Sequence, residues 1–151
     1  MAAAQLHYLT VQDILWINLQ VTGKVHHFNY AKLEEATYYQ YAYGDSKNLV
    51  SQAARFLPGF LKMSPIEAGN EATAFIAALT FLKINGMRIE FQDANACDWF
   101  MKIRDREVDA AEAIKSVAKP IVGHHESVNI RMTVKELLGE FPCTVLKLQG
   151  S

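Results

Sequence analysis

Apolar positions along most of the chain recur at three- and four-residue intervals, the period of helices that lay one face on a core. In TVQDILWINLQVTG (10–23), Thr10 with Asp13 three residues on reads as a capping box. Ile14, Leu15, Asn18 and Leu19 follow at helical spacing, and Gly23 supplies a stop. NYAKLEEATYYQYAYG (29–44) predicts a second helix from an Asn29 cap to Gly44, with Tyr38, Tyr39, Tyr41 and Tyr43 crowded at its end. SKNLVSQAARFLPGFLKM (46–63) carries the stripe Leu49, Ala53, Phe56, Leu57 and Phe60. Pro58 inside it predicts a kink, or a stop near Phe56. EATAFIAALTFLKING (71–86) is apolar nearly all round, which predicts a central, buried helix closed by Asn85-Gly86.

The period then changes. MRIEF (87–91) alternates Met87, Ile89 and Phe91 against Arg88 and Glu90, as a short half-buried strand does. Asp93 is placed to cap a helix through Trp99, Phe100 and Ile103. Asp109 with Glu112 caps another over AAEAIKSVAK, ended by Pro120. In the last thirty residues SVNIRM (127–132) and CTVLKL (143–148) read as strands around TVKELLGEF, a short helix capped by Thr133 with Glu136. The expected fold is therefore mainly α, a helical bundle around the central helix over residues 1–120 with one short strand or hairpin. A β-α-β extension over 121–151 packs on it or on a partner chain, with homodimerisation through its strands as one outcome.

Composition changes this picture mainly by exclusion. The 151 residues suit one domain, half of them are hydrophobic, and the net charge of −1 gives no electrostatic footprint for nucleic acid. No apolar run reaches the ~18 residues of a membrane span, and MAAAQLHYL lacks the basic start of a signal peptide. Cys97 and Cys143 lie far apart and read as reduced, packed thiols, so a cytoplasmic protein is expected. The tyrosines read as packing at a core edge or a protein interface rather than as base-stacking platforms, since no basic residues interleave. The pairs His26-His27 and His124-His125 read as surface-loop residues, because adjacent positions do not chelate an ion as an i, i+4 helix pair does.

One stretch carries candidate chemistry. MSPIEAGNEATAF (63–75) runs from a proline through Gly69-Asn70 into the buried helix, the form of a loop that cradles a phosphate at a helix N-terminus. Its only charges are Glu67 and Glu71, with Lys62 just before it. Gly69-Asn70 on its own is equally a turn and cap.

In order and in this motif the chain resembles the Fic/Doc superfamily, the short Doc (death-on-curing) branch in particular. The resemblance runs from about Leu6 to Lys119 and rests on HYLTVQDILWINLQVTG, the tyrosine-rich helix and MSPIEAGNEATAFIAALTFLKINGMRIEF. It implies a helical bundle, transfer of AMP or phosphate from ATP to a target hydroxyl, and, in the Doc branch, an antitoxin helix laid in a groove. The family motif is H-P-F-x-[D/E]-G-N-x-R, in which the histidine is the general base, the acid binds Mg²⁺, the Gly-Asn backbone forms an anion nest and the arginine clamps phosphate. Here Ser64 stands at the histidine position, Pro65 and Ile66 keep the frame, Glu67 is the variable residue and Ala68 replaces the acid. Gly69 and Asn70 are retained as the anion-binding pair, Glu71 follows, and Ala72 replaces the arginine.

The three chemical side chains are thus replaced while the frame stays. Loss of a general base alone removes ~10²–10⁴ in rate, and Mg²⁺ requires a hard oxygen ligand that Ala68 lacks. Glu67, one residue off, is the one candidate metal ligand. The resemblance with these departures implies a catalytically inactive Fic/Doc-like protein that binds a protein partner, regulatory or toxin-antitoxin-related. The alternative is an ATP- and Mg²⁺-dependent AMP transferase or Doc-type kinase with other active-site residues.

Overall fold

The computed structural model describes residues 6–41, 48–121 and 128–149. Among them are eight helices and two short strands: α1 (Val11–Thr22), α2 (Tyr30–Tyr38), α3 (Leu49–Met63), α4 (Asn70–Ile84), β1 (Met87–Ile89), α5 (Asp93–Arg104), α6 (Ala110–Val117), β2 (Ala118–Pro120), α7 (Ile130–Glu140) and α8 (Pro142–Leu148). The fold is mainly α, with a two-stranded antiparallel sheet.

α4 is the centre. Every residue from Ala72 to Leu82 is buried, because α1, α3, α7 and α8 pack around it. Its aromatic face is held by Phe75, whose ring meets Phe100 and Phe141 edge-on at 5.9 and 5.5 Å. Burial of side chains this size contributes about 1.5–3 kcal/mol each, so the helix is held by its surroundings rather than by an amphipathic stripe. Its two buried threonines are satisfied: Thr80 donates to the Ile76 carbonyl at 2.7 Å, and Thr73 accepts from Asn18 at 3.0 Å.

The caps of α1 form as the sequence implies. The Thr10 hydroxyl accepts from the Asp13 amide, Asp13 accepts from the Thr10 amide, and Gly23 ends the helix with φ 81°. Asn29 caps α2, which ends at Tyr38; Tyr43 and Gly44 lie outside the described residues. α3 neither stops nor ends at Pro58 but runs on to Met63. Burial of Leu57 and Phe60 on either side of the proline offsets the missing backbone bond. The neighbouring Gly59 lets the Tyr39 ring lie directly on the helix, since a Cβ there would meet that ring at 2.6 Å.

Within MRIEF a strand forms over Met87–Ile89 only, and its partner is the segment after α6: Met87 pairs with Pro120 and Ile89 with Ala118. α6 therefore ends at Val117 rather than running to Lys119, because the residue before Pro120 is pushed to extended backbone. The C-terminal β-α-β extension is corrected outright. Residues 130–140 and 142–148 are helices, not strands around a helix, and sheet pairing through these segments is not available for a homodimer. The alternation of VNIRM is overridden by a helical stripe, Ile130, Val134, Leu137 and Phe141, that packs on α4. Asn129, not Thr133, caps this helix, accepting from the Met132 amide at 3.0 Å.

α8 starts by a different device. It has no cap from its own preceding residue; instead Asp93, in the first turn of α5, accepts from the Cys143 and Thr144 amides at 2.9 Å each and from the Thr144 hydroxyl at 2.7 Å. Asp93 therefore serves another helix, while Gln92 stands at the cap position of its own. Cys97 is packed as expected, whereas Cys143 is exposed, and both are free thiols. No helix among the described residues is long and apolar enough to cross a membrane.

Candidate functional site

The loop between α3 and α4 is held on three sides. On the α3 side, Ser64 is the helix C-cap in left-handed backbone (φ 42°), and its hydroxyl donates to the Leu61 carbonyl at 2.8 Å. Ser64 therefore closes its own helix. Along the loop, residues 65–67 pair with 27–29. The Asn29 amide donates to the Pro65 carbonyl at 2.9 Å, the Glu67 amide to the His27 carbonyl at 2.8 Å, and Phe28 bridges Ile66. The Glu67 carboxylate turns onto this segment and accepts from the His27 amide at 3.3 Å.

The third support comes from α1. Asn18 is buried and reaches across 50 residues to donate to the Ala68 carbonyl at 2.9 Å. Its amide oxygen meets His26 Nδ1 at 3.2 Å, with Thr22 Oγ1 at 3.4 Å from the same nitrogen. His26-His27 is thus part of the scaffold that pins the loop, while His124-His125 lies outside the described residues. Gly69 follows with φ 78°, so close to α1 that a Cβ would stand 2.3 Å from the Thr22 methyl. Asn70 then folds back on the loop: its Oδ1 accepts from the Ile66 amide at 3.1 Å, and its Nδ2 donates to the Ile66 carbonyl at 2.6 Å. Ile66 itself is buried in the core cluster.

The structure thus brings Ser64, Pro65, Ile66, Glu67, Gly69 and Asn70 together as one tightly bonded loop. Ala68 presents only its carbonyl, and Ala72 is fully buried. Three side chains of the stretch, Ser64, Asn70 and Glu71, line a cleft of about 330 Å³ between α3, α4 and α5. The sequence shows Lys62 as the cation near this loop; the fold adds Arg104 and Arg106, thirty-odd positions downstream, to the same cleft. No local pattern marks them, because only the packing of α5 against α3 carries them there. Asn18 does carry a signal: it is the polar member of an otherwise apolar buried stripe with Ile14, Ile17 and Val21.

Arg104 is the electrostatic hinge of the cleft. It grips the Glu71 carboxylate through both oxygens at 3.2 and 3.4 Å and holds Asp105 at 2.9 and 3.1 Å. The Asp105 hydrogen bonds and then the attraction of Glu71 raise its pKa above the ordinary value against the opposing effect of burial. Asp105 is correspondingly held below the usual carboxylate range by Arg104. Glu71 sits in the first turn of α4, where a negative charge is favoured by the helix dipole. The chain's own carboxylate thus stands where an incoming anion would otherwise approach the helix.

The residues present do not fit a Mg²⁺ ion held in the family manner. Ala68 has no oxygen side chain, Glu67 is turned to His27, and among the described residues no three His, Cys, Asp or Glu side chains converge. What fold and site together define is a mainly α-helical protein with a densely hydrogen-bonded loop entering its central helix and a basic cleft beside it. No protein-family model matches the chain, and neither the curated proteins nor the solved structures give a significant match.

Proposed function

We propose that this chain is a Fic/Doc-like domain that has exchanged catalysis for binding and acts, in the cytoplasm, on a protein partner of regulatory or toxin-antitoxin type. The single observation that carries this reading is the occupation of the loop's polar side chains. Ser64 closes α3, Glu67 is turned to His27, Asn70 clamps Ile66 and Glu71 is paired with Arg104. These four side chains of the loop and of the first turn of α4 are engaged in contacts within the fold. Exposed aromatic residues at the start and end of α2, Phe28, Tyr30 and Tyr38, supply surface of the kind protein partners use.

One observation favours the alternative, an ATP-dependent AMP transferase or Doc-type kinase: Lys62, Arg104 and Arg106 surround the cleft beside the loop. Calorimetric titration with ATP in the presence of Mg²⁺ and of EDTA separates the two. The binding reading predicts no Mg²⁺-dependent heat at millimolar nucleotide, and a Mg²⁺-dependent isotherm favours the transferase.

A further inference from the structure

The cleft between α3, α4 and α5 contains more positive charge than its own carboxylate neutralises. Among the described residues Lys62, Arg104 and Arg106 line it, with Glu71 as its one carboxylate. Arg104 is committed to Glu71 and Asp105. Lys62 and Arg106 are exposed and have no side-chain hydrogen bond or ion pair among the described residues. Arg106 is further unusual in its backbone. It follows α5 in left-handed conformation (φ 59°), with its amide on the Ile103 carbonyl and the next amide on Lys102. A helix end of this form normally takes glycine, and here it bears a long cation directed to the cleft.

We infer that this cleft receives an acidic side chain of a partner polypeptide, with its carboxylate between Arg106 and Lys62. The inference rests on the reading of the chain as a protein-binding domain and names the chemistry of the partner. Three features select a carboxylate. The cleft already binds one, since Arg104 holds Glu71 through both oxygens. Pro58, Leu61 and Ile103 give it apolar walls for the aliphatic stem of a glutamate. The single charge of a carboxylate also matches the one positive charge that remains when Glu71 and Asp105 are set against Lys62, Arg104 and Arg106.

The test uses the full ¹⁵N-labelled chain at low ionic strength, titrated separately with a blocked tetraglutamate peptide, with inorganic phosphate and with ATP. The peptide is expected to shift the amides of Lys62, Ser64, Arg104 and Arg106. Its affinity is expected to fall at least ~10-fold when Lys62→Gln and Arg106→Asn are combined, and with added salt as the pairs are screened. Both positions are exposed, so the remaining spectrum should stay unchanged. Glu71→Gln provides an independent arm, because releasing Arg104 should strengthen peptide binding severalfold. The inference is overturned if the peptide leaves these amides unmoved, if its affinity is indifferent to the double substitution or to Glu71→Gln, or if phosphate or ATP binds the cleft more tightly. Transfer chemistry from ATP would count against the proposed function and not against carboxylate binding, so the two failures are distinguishable.

Discussion

At the scale of single residues, the loop is built from positions with little tolerance. Gly69 combines left-handed backbone with a 2.3 Å approach to Thr22, whereas Gly86 has similar backbone (φ 91°) and open space around it. Gly69→Ala is therefore expected to cost about 3 kcal/mol or more, and Gly86→Ala only about 1 kcal/mol, for the backbone term alone. Chemical denaturation of the two variants checks this; equal losses would show that the contact with α1 is unimportant. Gly69-Asn70 was legible in the sequence as a turn into a helix. The return bonds from Asn70 to Ile66 were not: an asparagine read as a cap is expected to reach forward to N–H groups of its own helix, whereas Gly69 takes the cap position and Asn70, the first residue of α4, reaches back. Asn18 was legible only as a polar residue on an apolar stripe; that it holds Ala68 and Thr73 depends on a contact 50 residues away.

At the scale of elements, the helices with strong caps and long stripes were legible, and the short terminal ones were not. α8 reads as a strand because Thr144 and Val145 are β-branched and its cap is supplied from Asp93, a residue no local pattern can connect to it. That device makes a pH-dependent prediction. Partial burial pushes the Asp93 carboxyl up, but the Thr144 hydroxyl and the Cys143 and Thr144 amides together outweigh it and hold it below the ordinary value. A carboxyl with a lowered folded-state pKa stabilises the fold fully above its unfolded value of about 3.9, and this contribution disappears as pH falls through the folded value. Asp93→Ala should thus cost about 1–2 kcal/mol at pH 7, with the gap to wild type constant down to about pH 5 and narrowing below about pH 4. Urea denaturation of both proteins across that range measures it, and a gap that widens on acidification would contradict the assignment.

For the whole molecule, one hydrophobic cluster runs from Leu9 in the N-terminal segment to Leu148 in α8. The C-terminal helices belong to it, through α7 on α4 and α8 on α5. The mainly α class was legible because a central helix without a polar face demands helices around it. The cleft was not, because its cations come from the end of α3 and the end of α5 and meet only in the assembled fold. The central claim is that the loop retains its frame without transfer chemistry. The most direct test incubates the chain and its Asn70→Ala variant with α- and γ-labelled ATP, Mg²⁺ or Mn²⁺, and lysate proteins. No label above background is expected on the chain or on any lysate protein, with the variant indistinguishable from wild type. Robust labelling by the wild type that Asn70→Ala abolishes would contradict the claim.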